Sequence, residues 1–281
     1  NKDMTCFDCP RFCKVDRSKE RGFCGGKDKI VVAKVIENFK WEEPCISAEK
    51  GTLAIFFAGC NLRCSYCQNK QISHKCEGKE YSPEEFRAYL SSFDYSKYSA
   101  LEFITPTHFS SLLCKVFEGF SVNTTVVWNS GGYENSQMIK KISSFVDVFL
   151  PDFKYADSSL AQKLSLAQNY FDVASQAIKT MIKCKPNIWQ EQRLVQGVLV
   201  RHLVLPGQSQ NSIQVLDALK NQLGAPLVSL MSQFVPIGKD FDRKILPLEY
   251  KIVLSHAQKI GLNDGYFQEM TSANDKFIPK F

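Results

Sequence analysis

The chain has 281 residues, of which 44% are hydrophobic, which is enough for one large domain with a small additional unit. No apolar stretch approaches the length needed to cross a bilayer, so we expect no membrane partner. The net charge of +6 is dispersed along the chain, and nucleic acid is not an expected partner because a basic stripe or reading motif is missing.

Cysteine is the most informative residue type in this composition. The chain has 11 cysteines, and seven of them lie in two closely spaced groups in its first quarter. Disulfide frameworks are typical of small secreted domains, whereas CxxC spacing in a longer chain indicates metal binding. We therefore expect a reducing compartment and a cytoplasmic protein.

Three regions follow one another along the chain. Residues 1–45 are polar, bear Cys and Gly, and are predicted to form a metal-binding extension. Residues 46–235 alternate strand-like and helix-like segments, and residues 236–281 are predicted to be a loop and a helix that close the domain. In the first region the spacing C-x2-C-x3-C-x10-C suits either zinc or a second, fully ligated cluster, on Cys6, Cys9, Cys13 and Cys24.

The middle region contains six strand-like runs. Most are nearly continuous apolar segments, which is typical of parallel strands covered on both faces, and they lie at 53–58, 101–105, 125–129, 146–153, 198–205 and 227–234. Helix signals lie between them, such as Ser82-Pro83-Glu84-Glu85, a capping box with proline at the first helical position. This alternation predicts βαβ units and a parallel sheet.

Three further cysteines, Cys60, Cys64 and Cys67, follow the first strand directly with the spacing C-x3-C-x2-C. Three thiolates bind three irons of a four-iron cluster and leave the fourth iron open for chemistry. A closed structural site, in contrast, needs four ligands. The alternative is a zinc site whose fourth ligand is remote, with three candidates: Cys45, Cys76 and His74. Because the cysteines end a strand in a βα series, we favour the cluster.

With Tyr66 before the last cysteine, the motif C-x3-C-x-aromatic-C resembles that of the radical S-adenosylmethionine (SAM) superfamily. The resemblance implies an α/β fold, a partial (β/α)6 barrel, with a [4Fe–4S] cluster whose open iron binds SAM. It also implies reductive cleavage of SAM to a 5′-deoxyadenosyl radical that abstracts hydrogen. Reduced flavodoxin or ferredoxin is the implied electron donor.

A narrower resemblance covers nearly the whole chain. The ordered motifs Cys-Pro-Arg-x-Cys, Trp-Glu-Glu-Pro, Thr-Pro-Thr-His, Asn-Ser-Gly-Gly-Tyr-Glu, Leu-Pro-Asp-Phe-Lys-Tyr, Arg-His-Leu-Val-Leu-Pro-Gly and Ser-Leu-Met-x-Gln are similar to those of the PflX-like group, relatives of pyruvate formate-lyase activating enzymes. This resemblance implies activation of a glycyl-radical enzyme, with a protein or peptide as substrate. Modification of a peptide, a small molecule or an RNA stays open as the alternative, and the sequence names no substrate. Residues 48–52, Ala-Glu-Lys-Gly-Thr, lack the Asp-Gly-Pro-Gly-x-Arg pattern of those activases.

The resemblance also implies that SAM lies against the ends of the later strands. The residues carried over as cofactor-binding are Tyr66, Thr105, Asn129, Ser130, Asp152, Lys154, Arg201, Met231 and Gln233. Thr105 replaces an acidic motif and would accept a hydrogen bond from the SAM ammonium. Arg201 lies in an apolar strand and needs a partner, for which the SAM carboxylate and Asp152 are the two candidates.

A different class of function is a non-catalytic zinc-binding interaction module. It predicts zinc at both cysteine groups and no use for SAM. Six strands with ligand-like ends argue against it, because a docking module needs no such pocket. An open-sheet oxidoreductase is set aside, since no Gly-rich phosphate motif follows the first strand.

Overall fold

The computed structural model describes residues 5–270 of the chain. Within them, ten strands form one sheet with a short side ribbon. Their bounds are β1 Ile30–Phe39, β2 Thr52–Phe57, β3 Lys79–Tyr81, β4 Ala100–Ile104, β5 Thr125–Ser130, β6 Val148–Pro151, β7 Ile188–Gln190, β8 Arg193–Leu203, β9 Leu227–Met231 and β10 Gly265–Phe267. The strand order is β10-β9-β8-β6-β5-β4-β2-β1-β3, and β7 pairs with β8.

The parallel part of the sheet contains all six strands expected from the sequence. These are β2, β4, β5, β6, β8 and β9, each paired in parallel with its neighbour. Strands β2, β4 and β6 are buried along their whole length, which explains their continuous apolar runs. Among the described residues the sheet runs from β10 to β3 without closing, and the predicted partial (β/α)6 barrel is confirmed.

Helices cover the sheet between its strands. Their bounds are α1 Pro44–Ser47, α2 Lys70–Ser73, α3 Pro83–Ser91, α4 Ser110–Phe117, α5 Ser136–Ile142, α6 Ser158–Ser165, α7 Tyr170–Cys184, α8 Ser209–Asn221 and α9 Pro247–Lys259. The capping box that starts α3 is confirmed: the Ser82 hydroxyl accepts from the Glu85 amide, and the Glu85 carboxylate accepts from the Ser82 amide. No helix in residues 5–270 has both the length and the apolarity of a membrane span.

Four strands were not expected from the sequence. Strand β1 lies within residues 1–45 and pairs antiparallel with β2, and β3 pairs antiparallel with β1. Strands β3, β7 and β10 have three residues each, too few for a periodic pattern to be visible. The division at residues 45 and 235 stays a prediction, although β1 and β10 bring segments of both outer regions into the sheet.

The sheet register brings the carboxyl ends of the parallel strands to one edge. Ile104 of β4 is level with Asn129 of β5, and Arg201 of β8 is level with Ser229 of β9. A further bridge joins Asp152, just after β6, to Arg201. Residues far apart in sequence therefore meet at this edge.

Candidate active site

One cavity of about 430 Å³ opens at the carboxyl edge of the sheet. This volume lies in the range of small-molecule binding sites. The cavity is lined by all twelve residues that the sequence assigned to the barrel site, namely Cys60, Cys64, Tyr66, Cys67, Thr105, Asn129, Ser130, Asp152, Lys154, Arg201, Met231 and Gln233. The structure therefore brings these residues together, and their individual roles stay predictions.

The loop after β2 carries the three cysteines, and each sulfur has a hydrogen-bonding neighbour. The Leu62 amide donates to Cys60 Sγ at 3.3 Å, and the Ser165 hydroxyl donates to Cys64 Sγ at 3.0 Å. Cys67 Sγ lies 3.3 Å from the Ser73 hydroxyl. Donors aimed at sulfur stabilise thiolates, the ionic form that binds iron, so this loop fits a cluster held by three cysteines.

The remote residues considered for a zinc site lie elsewhere in the described structure. Cys45 packs in a hydrophobic cluster with Ala100 and Val127. The Cys76 thiol donates to the Ala58 carbonyl at 3.3 Å. His74 and these two cysteines are not among the residues that line the cavity.

Tyr66 is fixed beside the cysteines by its ring and its hydroxyl. Its ring packs against Phe234 and Phe241 with centroids 6.1 and 6.0 Å away. Its hydroxyl lies 2.6 Å from that of Tyr155, which lies 2.7 Å from Ser165. Because Ser165 donates to Cys64, an unbroken polar chain joins the motif's aromatic residue to one of the three cysteines.

Thr105 directly follows β4 and has a left-handed backbone conformation, with φ of +59°. A β-branched residue rarely adopts this conformation, and such strain is typical of functional sites. Its amide donates to the Asn129 carbonyl at 2.8 Å, which ties the turn to the next strand.

The Asn129 side chain connects the cavity to a buried carboxyl group. Its amide nitrogen lies 2.9 Å from Glu102 Oε1, and Thr52 donates to the other Glu102 oxygen at 2.8 Å. Burial raises the pKa of Glu102 to about 7. The adjacent Ser130 hydroxyl accepts from the Gly132 amide at 3.3 Å.

The partner of Arg201 within the protein differs from Asp152, the one named from the sequence. Its Nε and Nη2 atoms donate to the Glu43 carboxylate at 3.0 and 2.6 Å, and Nη2 also contacts Glu42. Burial lowers the pKa of Arg201 to about 9, so the guanidinium is charged at neutral pH. Two glutamates, and not the Asp152 carboxylate, therefore neutralise this buried cation within the protein.

Asp152 and Lys154 form an ion pair, with Lys154 Nζ 2.5 Å from Asp152 Oδ2. The Tyr170 hydroxyl donates to the Asp152 carbonyl at 2.7 Å and accepts from the Lys154 amide at 3.1 Å. These contacts fix the chain beyond β6 at the cavity.

Gln233 lies on another part of the cavity wall, where its side chain accepts a hydrogen bond from Gln268 at 2.8 Å.

Two histidines near the site turn away from the cavity. His202 bonds the Phe153 carbonyl at 2.7 Å and the Ser212 hydroxyl at 2.8 Å, on the opposite side of β8. His108 Nε2 lies 2.8 Å from the Ala58 carbonyl. Burial lowers the pKa of His108 to about 3, so this ring is neutral.

Sequence reasoning missed the three glutamates of this site. Glu42 and Glu43 belong to the shared motif Trp-Glu-Glu-Pro, to which the sequence alone assigned no role. Glu102 interrupts an otherwise apolar strand, and a buried acid in such a run is a signal for a polar network.

The four cysteines of the N-terminal segment lie against the three-cysteine loop. The Arg11 guanidinium, between Cys9 and Cys13, donates to the Asn61 carbonyl at 2.8 Å. In return, Arg63 of the loop donates to the Phe23 carbonyl at 2.7 Å, next to Cys24. The two cysteine groups are therefore neighbours in space.

Comparison with known proteins gives consistent results. Residues 50–171 match the family described as 4Fe-4S single cluster domain. The chain is 30% identical over 273 residues to uncharacterized protein MJ0674 of Methanocaldococcus jannaschii, covering 92% of this chain and 75% of the relative. It is 26% identical over 209 residues to the pyruvate formate-lyase-activating enzyme of Clostridium pasteurianum, covering 70% and 81%.

Among solved structures, the chain is similar in fold to a radical SAM methyltransferase from Sphaerobacter thermophilus. The TM-score is 0.51 at 11% identity, over 76% of this chain and 66% of that one. The cysteine loop, the open parallel sheet and these matches agree on one assignment, in which the cofactors are a [4Fe–4S] cluster and SAM. The chain belongs to the radical SAM superfamily.

Proposed function

We propose that this chain binds SAM beside a [4Fe–4S] cluster held by Cys60, Cys64 and Cys67, and directs the resulting radical to a substrate hydrogen. When bound, the cluster supplies the electron that splits SAM into methionine and a 5′-deoxyadenosyl radical. One observation carries the proposal: the three thiols and the nine cofactor-binding residues named from the sequence all line one cavity. A zinc interaction module has no need of such a cavity.

The charges of the cavity wall support SAM as the ligand. Among the lining residues, Glu42, Glu43 and Asp152 are acidic, and Lys154 and Arg201 are basic. The excess of one carboxylate complements SAM, whose sulfonium and ammonium groups outnumber its single carboxylate. Ion pairing keeps these groups in place before the ligand arrives, which lowers the cost of ordering them.

In this proposal, different residues of the cavity wall contact different parts of SAM. The strained turn at Thr105 presents a hydroxyl and a carbonyl to the ammonium group. Asn129 and Ser130 hold the neighbouring polar atoms, and Met231 and Gln233 border the adenosine. Arg201 positions Glu42 and Glu43, since its guanidinium is already bonded to them.

The finer proposal for the substrate is a protein or peptide, with glycyl-radical activation as the leading reaction. It is supported by the match over 209 residues to a pyruvate formate-lyase-activating enzyme. Reduced flavodoxin or ferredoxin is the proposed electron donor. The closely spaced thiols support a reducing, cytoplasmic location.

The test is anaerobic turnover. The protein is reconstituted with iron and sulfide, reduced with dithionite, mixed with SAM, and assayed for 5′-deoxyadenosine by mass spectrometry. We expect product from the wild type, at least 100-fold less from Cys64→Ala, and wild-type amounts from Cys184→Ala, which changes a cysteine at the end of α7. A glycyl-radical domain is then added and its radical measured by electron paramagnetic resonance (EPR).

Two results would contradict the proposal at different levels. Equal product from the wild type and Cys64→Ala would show that the cleavage does not use this cluster. Product formation without any radical on the added domain would leave SAM cleavage in place and remove the activase proposal.

A further inference from the structure

The four N-terminal cysteines share one small, partly buried knuckle. Cys9 and Cys24 are each 6% exposed. An antiparallel bridge between Thr5 and Asp16 closes the turn that contains the first three. A side chain at Gly22 would lie 3.4 Å from Cys13 Sγ and 3.6 Å from Cys24 Sγ, so the two sulfurs flank the same point of the backbone.

Cysteines of both groups accept the same kind of hydrogen bond from the backbone. In the cluster loop, Cys60 and Cys67 each accept from the amide two residues later. In the knuckle, Cys6 accepts from Asp8, Cys9 from Arg11 and Cys24 from Gly26, again two residues later, the last at 3.3 Å. The contacts described for Cys45 and Cys114 include no such donor. The knuckle thus repeats a turn that, in the cluster loop, orients thiolates toward iron.

The knuckle also contains a buried cation with free donors. Arg17 is 8% exposed, and its Nη1 atom binds Asp8 at 3.1 Å and the His108 carbonyl at 2.5 Å. Its Nε and Nη2 atoms are buried without a hydrogen-bond partner among the described residues. A side chain on Gly26 would meet Nη2 at 2.3 Å, so these donors lie beside the turn of Cys24. Unsatisfied buried donors of a cation favour a negatively charged group nearby.

Neither cysteine group, as described in residues 5–270, is arranged around a site for a single metal ion. Across residues 5–270, no three Cys, His, Asp or Glu side chains are close enough together to share one metal ion. This holds for the cluster loop as well as for the knuckle. Zinc draws four sulfurs to about 2.3 Å from one centre, whereas the cysteines of a cluster each bind a different iron and stand further apart.

We propose that Cys6, Cys9, Cys13 and Cys24 bind a second [4Fe–4S] cluster. Four protein thiolates occupy its four irons, so this cluster has no open position for SAM and is distinct from the one on the barrel loop. The unpartnered Nε and Nη2 donors of Arg17 lie beside the turn of Cys24 and favour the negative charge of this cluster. Through Arg11 and Arg63, the knuckle that it orders lies directly against the loop that holds Cys60, Cys64 and Cys67.

The experiment counts metal in the full chain after anaerobic purification and reconstitution. We expect about eight irons and eight sulfides in the wild type and about four of each in Cys60→Ala/Cys64→Ala/Cys67→Ala. The variant Cys9→Ala/Cys24→Ala is also expected to keep about four. Two controls, Cys76→Ala and Cys184→Ala, are expected to keep all of the iron; Cys76 lies beside the knuckle but donates its thiol to a carbonyl.

A second measurement requires no variant and so does not depend on how the variants fold. In the reduced wild type, EPR is expected to show two cluster signals, of which SAM shifts one and leaves the other unchanged. One zinc with four irons per chain would overturn the proposal in favour of a structural ion, and four irons with no other metal would overturn it outright. Neither result affects SAM cleavage at the barrel loop, which the 5′-deoxyadenosine assay measures separately.

Discussion

At the scale of single residues, Thr105 shows how this fold stores strain at its cavity. Its φ of +59° places a β-branched side chain in the left-handed region, at a cost of about 1–3 kcal/mol. Ala225 has a similar φ of +52° but does not line the cavity. Both residues therefore have a strained left-handed backbone, but only Thr105 lines the cavity.

Replacing each of them with glycine distinguishes the effect of backbone strain on stability from the effect of the side chain on SAM binding. We expect Thr105→Gly and Ala225→Gly to change the free energy of unfolding by no more than about 1 kcal/mol, because relief of strain offsets the greater entropy of an unfolded glycine. Only Thr105→Gly should weaken SAM binding, by about 2- to 10-fold, the value of one hydrogen bond. Urea unfolding and anaerobic SAM titration measure the two effects. Unchanged SAM affinity in Thr105→Gly would remove this residue from the binding set.

At the scale of elements, the end of β2 depends on a glycine. Gly59 has a φ of +83°, and a side chain there would lie 2.4 Å from the Cys24 carbonyl oxygen. The backbone of the N-terminal knuckle therefore packs directly on the residue before Cys60. Gly119 has a comparable φ of +67°, and a side chain there would meet no described atom within 4 Å, so this position isolates the cost of the backbone conformation.

We expect Gly119→Ala to lower the free energy of unfolding by about 1–2 kcal/mol through backbone strain alone. Gly59→Ala adds a clash with backbone that cannot rotate away, so Cys60 must shift. It should therefore lose more stability and also bind less iron at the barrel loop. Thermal unfolding and iron content of the two variants provide the comparison. Equal iron in both would show that the loop tolerates displacement of the knuckle.

The elements also show where sequence patterns are informative. The six parallel strands were predictable because both of their faces are buried, so each reads as an apolar run. Strand β1 was missed because it begins with four apolar residues but then carries Lys34, Glu37 and Asn38 at an edge of the barrel core. The site residues follow strand ends and were recognisable from motifs. Glu43 was not, because its partner Arg201 is 158 positions away and only the fold joins them.

At the scale of the whole molecule, buried carboxyl groups set the dependence of stability on pH. Glu102 is fully buried, accepts hydrogen bonds from Thr52 and Asn129, and has its pKa raised by burial from 4.5 to about 7. The folded state therefore holds a proton on Glu102 between these two values, while the unfolded state has released it. Stability is highest below pH 4.5 for this group and falls as the pH rises through 7.

The variant Glu102→Gln keeps the shape of the side chain and removes its titration. We expect the wild type to lose stability between about pH 5 and pH 8, by on the order of 3 kcal/mol from this carboxyl group, and the variant to lose correspondingly less. The exposed Glu191→Gln is the matched control for the change in charge. Urea unfolding at closely spaced pH values measures the slope. Because Asn129 joins Glu102 to the cavity, a slope that is the same in Glu102→Gln and the wild type would show that this buried network does not govern the stability of the barrel.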